Sequence, residues 1–168
     1  MSTQSLLFEN SHRAGTNPSD VVYTPEPLAW AIVEAFKPSG KCLEPCKGAG
    51  AFLRYLPEGS DWCEIAEGRD FFDYHKRVDW IVSNPPHSIF DKWLAHSFEI
   101  AENVVYLLPF SKAFKSWGTL QQIKDYGGIV RVIAMPSSRA AGFPFGYPLG
   151  AFHFKRHYEG ATLIEMWE

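Results

Sequence analysis

The sequence predicts an α/β fold with a mainly parallel sheet, and three observations support this prediction. Continuous apolar runs, as expected for strands buried on both faces, occur at 78–83 and 103–110. A segment with apolar residues at helical spacing, 90–101, separates them. The last two apolar runs, 128–136 and 149–157, flank a loop rich in glycine, proline and aromatic residues, which predicts an antiparallel hairpin.

The first helix is predicted to begin beside a Tyr-Thr-Pro segment. Thr24 is the expected N-cap and Pro25 the first helical residue, because both residue types favour these positions. Apolar residues at helical spacing follow, and the Lys-Pro-Ser-Gly stretch at 37–40 ends the helix.

A strand, loop and helix unit follows the first helix. The short apolar segment at 42–43 predicts a strand, and a glycine-rich turn leads from it to a helix expected to begin near Ala49. Residues 61–67 predict a further short strand that ends in an acidic residue.

Composition indicates one globular domain. The chain has 168 residues, 46% of them hydrophobic and 21% charged. We expect residues 1–20 to form a flexible segment and residues 21–168 to form the domain.

The sequence predicts a cytoplasmic protein with no membrane partner. No apolar stretch approaches the roughly 18 residues that a membrane span needs, and the N-terminus lacks the order of a secretion signal. Cys42, Cys46 and Cys63 lack the spacing of a zinc site, so we predict reduced thiols and no metal.

Charge is distributed unevenly along the chain. Up to Glu102 there are nine Lys and Arg against fifteen Asp and Glu, whereas from Asn103 onward there are seven against four. The second half is therefore the better candidate to contact a polyanion, with a differently solvated face as the alternative.

Residues at three predicted strand ends suit a ligand that carries an ammonium group, a ribose and a purine. Glu44 could meet the ammonium, and Glu64 could accept both ribose hydroxyls. Asp70 could bind an exocyclic amine while Phe71 packs on the purine face. The alternatives are two solvated acids, a turn residue and a core residue.

The glycine-rich loop between Glu44 and Phe52 has residues without side chains at two positions. Gly48 and Gly50 allow the main chain to approach a ligand closely. The loop lacks the GxGxxG pattern of dinucleotide sites and the GK[ST] of triphosphate loops.

Six motifs in one chain resemble those of the S-adenosylmethionine-dependent amino-methyltransferases, specifically the DNA adenine N6-methyltransferases. They are YTP, LEPCKGAGAF, CEI, GRDFF, DWIVSNPP and VVYLLPF, and the resemblance covers roughly residues 22–160. It implies a Rossmann-like class I methyltransferase fold, with a seven-stranded sheet that ends in a hairpin. It also implies S-adenosyl-L-methionine as the cofactor and the N6 amino group of adenine in DNA as the acceptor.

The resemblance assigns cofactor contacts to residues of these motifs. They are Tyr23, Thr24, Pro25, Glu44, Pro45, Cys46, Gly48, Gly50, Phe52, Glu64, Asp70, Phe71 and Asn84.

The SNPPH segment carries the predicted chemistry. The side-chain carbonyl of Asn84 and the main-chain carbonyl of Pro85 could each accept one hydrogen of an aromatic amine, which directs its lone pair toward the methyl donor. Pro86, with Pro85, holds this bend rigid. His87 stands where the family has an aromatic residue that stacks on the base. Either the imidazole replaces that ring, or the protein is a non-catalytic cofactor-binding module.

Basic and aromatic residues of the second half suit phosphate neutralisation and base stacking, although the aromatics could instead form a core beneath a long loop. The predicted substrate-binding residues are Lys112, Lys115, Trp117, Arg139, Phe143, Phe145, Lys155 and Arg156.

No separate target-recognition domain is predicted. We therefore expect a short or relaxed sequence preference, or dependence on a recognition partner or a homo-oligomer. RNA adenine remains an open alternative substrate, whereas protein glutamine fits less well because that activity implies an additional N-terminal region. By analogy, a compact enzyme of this type suggests DNA modification in a phage or mobile element.

Overall fold

The structure is a computed structural model that describes residues 21–135, 138–139, 141–143 and 146–167. The predicted flexible segment at 1–20 lies outside the described residues, as does Phe145. Within the described ranges, the strands are β1 Cys42–Glu44, β2 Asp61–Trp62, β3 Val78–Ser83, β4 Ala101–Pro109, β5 Gly127–Met135, β6 Leu149–Arg156 and β7 Leu163–Met166. The helices are α1 Glu26–Phe36, α2 Phe90–Ile100, α3 Phe110–Ala113 and α4 Trp117–Tyr126, and short 3-10 helices span Ile65–Glu67 and Phe71–Asp73.

All seven strands join one sheet in the order β2-β1-β3-β4-β6-β5-β7. Strands β2, β1, β3 and β4 run parallel, whereas β6 is antiparallel to both of its neighbours, β4 and β5. These pairings confirm the predicted α/β fold with a mainly parallel sheet and a C-terminal antiparallel pair. The edge strand β7, which the sequence patterns do not predict, pairs parallel with β5.

Both faces of the sheet are buried, which explains the continuous apolar runs. Along β4, Val104, Tyr106 and Leu108 contribute to a core cluster with α2 and α4. The alternate residues Val105 and Leu107 face a second cluster with α1. A strand between two cores needs apolar side chains at successive positions.

The predicted helix near Ala49 does not form, and residues 48–56 form a series of turns. One reason is that the main-chain N–H of Leu53 donates to the carboxylate of Glu44 at 2.6 Å rather than to a helical carbonyl. The start of α1 also differs from the prediction: Pro25 is the N-cap, with no side-chain capping bond, and Thr24 precedes it.

The strand predicted over 61–67 is shorter in the structure. β2 ends at Trp62, and Glu64 then forms an isolated antiparallel bridge with Arg69. This bridge closes a tight loop that returns the chain to the end of β2. Among the described residues, no helix combines the length and apolar character that a membrane crossing requires.

Candidate functional site

The C-terminal ends of β1 and β3 create the site. These neighbouring strands run parallel, so they end at the same edge of the sheet. The chain leaves β1 toward β2 on one side and leaves β3 toward β4 on the other. Ligands of open α/β sheets bind where strand order reverses in this way. Glu44 ends β1 and Asn84 directly follows β3, so the fold brings the two main motifs together.

The glycine-rich loop after β1 depends on left-handed backbone conformations. Gly48 has φ +52° and Gly50 has φ +80°, a region that side-chain-bearing residues rarely adopt. A Cβ atom at position 48 would lie 3.1 Å from the ring of Tyr23. The ring of Tyr23 therefore lies directly on the loop, although 53% of the residue is exposed.

The carboxyl group of Glu44 is buried in the wall of this loop. Only 2% of Glu44 is exposed, and one carboxylate oxygen accepts the hydrogen bond from Leu53 at 2.6 Å. Burial raises the pKa of Glu44 to about 8, against the lowering effect of backbone hydrogen bonds. A ligand ammonium would favour the ionised form, as the predicted contact requires.

Glu64, predicted to bind ribose hydroxyls, already accepts two backbone hydrogen bonds. Its Oε2 accepts from the N–H of Gly48 at 2.7 Å and its Oε1 from that of Ala66 at 3.1 Å. Glu64 thus fixes the glycine-rich loop against the end of β2. The carboxylate keeps further acceptor positions, because it offers about four lone pairs. Sequence reasoning missed the bond to Gly48 because 16 residues separate the partners.

Asp70 and Phe71 follow the alternatives that the sequence left open. The Oδ1 atom of Asp70 caps the following 3-10 helix by accepting from the N–H of Phe72 at 2.9 Å. Phe71 is 2% exposed, and its ring centroid lies 4.5 Å from Trp93 and 4.7 Å from His96. The Phe71 ring thus packs in the core, which is the alternative that the sequence left open.

Asn84 is held by two contacts that cross the site. Its Nδ2 donates to Oγ1 of Thr24 at 3.3 Å, which leaves Oδ1 of the amide as an acceptor directed elsewhere. The Sγ of Cys46 donates to the main-chain carbonyl of Asn84 at 3.1 Å and contacts Oγ of Ser83 at 3.2 Å. Burial raises the pKa of the Cys46 thiol far above its usual range, so it remains a donor.

Two cavities meet at Asn84. A narrow crevice of about 40 Å³ is lined by Val22, Tyr23, Thr24, Glu44, Cys46, Lys47, Gly48, Ala49, Ala51, Phe52 and Asn84. A larger cavity of about 380 Å³ is lined by Val22, Asn84, Pro85, His87, Ser88, Leu107, Lys112, Phe143, Tyr147 and Leu149. Asn84 and Val22 belong to both, so the Asn84 side chain stands between the two spaces.

The larger cavity contains an aromatic residue that the sequence analysis did not select. Tyr147 lies in the glycine and aromatic loop before β6, and that composition was the only available signal. Buried Ser138 holds this loop: its Oγ accepts from the N–H of Tyr147 at 2.9 Å, and its N–H donates to the Tyr147 carbonyl at 3.0 Å.

The remaining predicted cofactor and catalytic residues support the site without lining either cavity. Pro45 and Pro86 are buried behind it. Pro25 lies against Gly142, since a Cβ atom there would meet its Cγ at 3.0 Å. Among the described residues, no group of three His, Cys, Asp or Glu side chains could hold a metal ion.

Two predicted substrate-binding residues lie far from the site. Leu149 of β6 pairs with Pro109 beside the site, whereas Lys155 pairs with Asn103 near the opposite end of β4. Arg156 donates to the carbonyls of Phe98 and Ala101 at that far edge. Lys155 and Arg156 lie there because β6 runs antiparallel to β4, away from the site.

Three other predicted substrate residues are exposed outside the cavities. Lys115 forms an ion pair with Asp91, and Trp117 is 78% exposed at the start of α4. Arg139 is exposed on the loop after β5. Of the predicted substrate set, Lys112 and Phe143 line the larger cavity.

The fold is that of known class I methyltransferases. A Listeria monocytogenes protein described as a class I S-adenosylmethionine-dependent methyltransferase matches with a TM-score of 0.63 and 12% identity, over 99% of this chain and 73% of that chain. The 23S rRNA methyltransferase ErmE matches with a TM-score of 0.56 and 16% identity, over 83% of this chain and 72% of its own.

A subunit of a restriction-modification system shares the fold too. The methyltransferase subunit of a type I restriction-modification system from Streptococcus thermophilus matches with a TM-score of 0.61 and 16% identity. The match covers 82% of this chain but 45% of the subunit, so the chain spans less than half of its length. No family model and no curated protein sequence matches the chain.

Proposed function

We propose that the protein transfers a methyl group from S-adenosyl-L-methionine to the N6 amino group of adenine in DNA. One observation carries this proposal: Asn84 stands between the crevice of the glycine-rich loop and the larger cavity. A donor in the first space and an acceptor amine in the second would meet at its amide. The resemblance of the six motifs and the shared fold support the choice of cofactor.

The residues of the crevice fit the cofactor in chemistry. Glu44 offers a carboxyl group for an ammonium, and Gly48 leaves space that a Cβ atom would fill. The crevice is narrow because Tyr23 lies over Gly48, so a ligand of nucleoside size requires this exposed ring to move. When bound, S-adenosyl-L-methionine supplies an electrophilic methyl group on a positively charged sulfur.

Asn84 and Pro85 provide the catalytic groups in this proposal. The lone pair of an aromatic amine is delocalised into the ring, which makes the amine a poor nucleophile. Hydrogen bonds to Oδ1 of Asn84 and the carbonyl of Pro85 orient the amine and stabilise the positive charge that develops on its nitrogen. Thr24 fixes the Asn84 amide before the substrate arrives, so little reorganisation is needed.

The larger cavity suits a flat base. Its walls combine His87, Phe143 and Tyr147 with the cation of Lys112. An aromatic face beside Asn84 would hold an extruded or unpaired base, and Lys112 would meet phosphate. RNA adenine is the second candidate, because the same fold occurs in an rRNA methyltransferase. A recognition partner or second copy would supply sequence selectivity.

Replacement of Asn84 by alanine tests the proposal. We expect Asn84→Ala to lower kcat by about 10²- to 10³-fold, because one transition-state hydrogen bond is lost, while cofactor affinity changes less than about 3-fold. The assay follows labelled methyl transfer to duplex DNA, single-stranded DNA, RNA and protein, with cofactor affinity measured by calorimetry. The control is Gln121→Ala, which removes an amide whose hydrogen bond to Asp125 is exposed on α4.

The same assay separates the enzyme from a non-catalytic module. If wild type binds the cofactor and labels none of the four acceptors, the module hypothesis holds, and His87 is the residue that favours it. His87→Tyr is expected to increase labelling, since the larger ring stacks better on a base. An Asn84→Ala variant with wild-type kcat would contradict the proposed role of this residue.

A further inference from the structure

Three large apolar side chains are exposed beside the larger cavity. Phe114 is 49% exposed, Trp117 78% and Leu120 36%, and they lie between the end of α3 and the second turn of α4. We call these three residues the aromatic shelf. Large exposed apolar side chains in close succession indicate a contact surface.

Contacts connect the aromatic shelf to the predicted catalytic segment. Lys112 lines the larger cavity and precedes Phe114 by two residues in the chain. At the start of α2, four residues after His87, Asp91 pairs with Lys115 and accepts from Oγ1 of Thr119 at 3.2 Å. The shelf therefore follows a cavity-lining residue in the chain, and Asp91 holds its segment against the start of α2.

A helix cap and a ring contact fix the segment that carries the aromatic shelf. Ser116 caps α4, with its Oγ accepting from the N–H of Thr119 at 3.2 Å. The ring of Phe114 makes an edge contact with Phe152, centroids 6.0 Å apart, and Phe152 is completely buried. Phe114 is thus held by the core, and the Ser116 cap fixes the start of α4, where Trp117 lies.

The charge of the segment suits an anionic partner. Residues 110–120 contain Lys112 and Lys115 and no acidic residue, although the whole chain has a net charge of −3. Lys115 forms an ion pair with Asp91, which offsets part of its charge, so the net positive charge of the segment is modest. A partner that combines phosphates with flat apolar rings matches both the positive charge of the segment and its exposed apolar side chains. A purely apolar peptide matches only the exposed side chains.

We propose that the aromatic shelf stacks unpaired bases that flank the target nucleotide, so that the preferred substrate is a single-stranded polynucleotide. This inference rests on the proposed function, which places the target base in the adjoining cavity. Exposed ring faces can stack on unpaired bases, whereas a duplex hides base faces inside its own stack. Selectivity for single strands would follow without a separate recognition domain.

Binding of oligo(dT) tests the shelf separately from methyl transfer, because thymine has no exocyclic amino group. A labelled strand of about 12 nucleotides is titrated with each variant, and fluorescence anisotropy gives the dissociation constant. We expect Trp117→Ala to weaken binding at least about 10-fold, Phe114→Ala to weaken it about 3-fold or more, and Trp117→Phe to retain most affinity. Trp30→Ala is the matched control, since Trp30 is 51% exposed on α1.

Salt dependence gives a second readout. Lys112 and Lys115 together would release at most about one to two counterions from a single strand, so affinity should fall only shallowly with salt. A steep slope would show that phosphate contacts elsewhere dominate, and would overturn the shelf as the main binding surface.

Other outcomes are equally decisive. Failure of the wild type to bind oligo(dT), unchanged binding by Trp117→Ala, or tighter binding of duplex would each overturn the inference. A wild-type dimer that Trp117→Ala dissociates would assign the shelf to a second copy of the chain and overturn it too. The proposed function is judged separately, by cofactor affinity and by labelling of adenine substrates. If these succeed while Trp117→Ala leaves the KM for single strands unchanged, only the shelf inference fails.

Discussion

The carboxyl group of Glu44 shows how a single buried residue shapes the chain at the candidate site. One carboxyl oxygen accepts a hydrogen bond from the N–H of Leu53 and thereby prevents the helix that the sequence predicts there. Burial raises its pKa to about 8, so the free protein holds a proton that a ligand ammonium would displace. In this protonated state the carboxyl group still holds the loop through its hydrogen bond from Leu53.

Glu44→Gln should change stability in a pH-dependent way. The folded protein binds the Glu44 proton more tightly than the unfolded chain does, so the stability from this group is complete below about pH 4.5 and is lost as pH rises toward 8. Glutamine stays neutral and can still accept from Leu53. We expect wild-type-like stability at pH 5 and a gain of about 1–3 kcal/mol near pH 8, measured by urea unfolding.

Glu58→Gln is the control for this comparison, because Glu58 is an exposed glutamate on the turn before β2. It removes the same charge without removing a buried group. Parallel pH profiles for the two variants would contradict the assignment of the effect to burial of Glu44.

At the scale of elements, the segment before α1 positions the end of β3. Thr24 lies next to the N-cap of α1, and its hydroxyl accepts from the amide of Asn84, 60 residues away in sequence. Sequence patterns assigned this hydroxyl to a helix cap because Thr favours that position, but a tertiary partner took it instead. The contact ties the segment before α1 to the candidate site.

Thr24→Val tests this positioning role. Valine keeps the volume but cannot accept the hydrogen bond, so the Asn84 amide can rotate. We expect kcat to fall about 10-fold, a cost near 1.4 kcal/mol, with cofactor KM nearly unchanged. Thr24→Ser should restore kcat, since it retains the hydroxyl. If Thr24→Val unfolds at a lower temperature and Thr24→Ser fails to rescue kcat, the residue has a structural role only.

The elements also show what the sequence could and could not predict. The bounds of β3 were predicted correctly because its second half is buried on both faces, with Ile81 in one core cluster and Val82 in the other. The edge strand β7 was missed because it is short and largely exposed, so pairing with β5 rather than composition defines it. Glu44 ends β1, whereas Glu64 lies beyond the end of β2 and its bond to Gly48 depends on how two loops meet.

Across the whole molecule, His153 connects the sheet to α1. It is 9% exposed, stacks on Trp80 with centroids 5.0 Å apart and contacts the ring of Phe36 edge-on at 5.8 Å. Its Nε2 bonds Oδ1 of Asn103 at 3.0 Å. Burial is the main cause that lowers the pKa of His153 to about 4, and the cations Lys155 and Arg131 add to it. The neutral ring is therefore part of the folded core.

Acid should consequently destabilise the fold through His153. The unfolded chain binds this proton near pH 6.5 and the folded protein near 4, so stability is lost as pH falls through that interval. His153→Gln should be less stable than wild type at pH 7.5, because ring packing is lost. Between pH 6.5 and 4, however, its free energy of unfolding should fall by about 1–3 kcal/mol less than that of wild type. The control is His157→Asn, because His157 is exposed and its φ of +56° is one that asparagine tolerates.

The quantity to measure is the difference in unfolding free energy between variant and wild type, by urea unfolding at each pH. The difference is needed because Glu44 acts in the opposite direction over part of this pH interval. A His153→Gln profile parallel to that of wild type would refute the burial of a neutral imidazole.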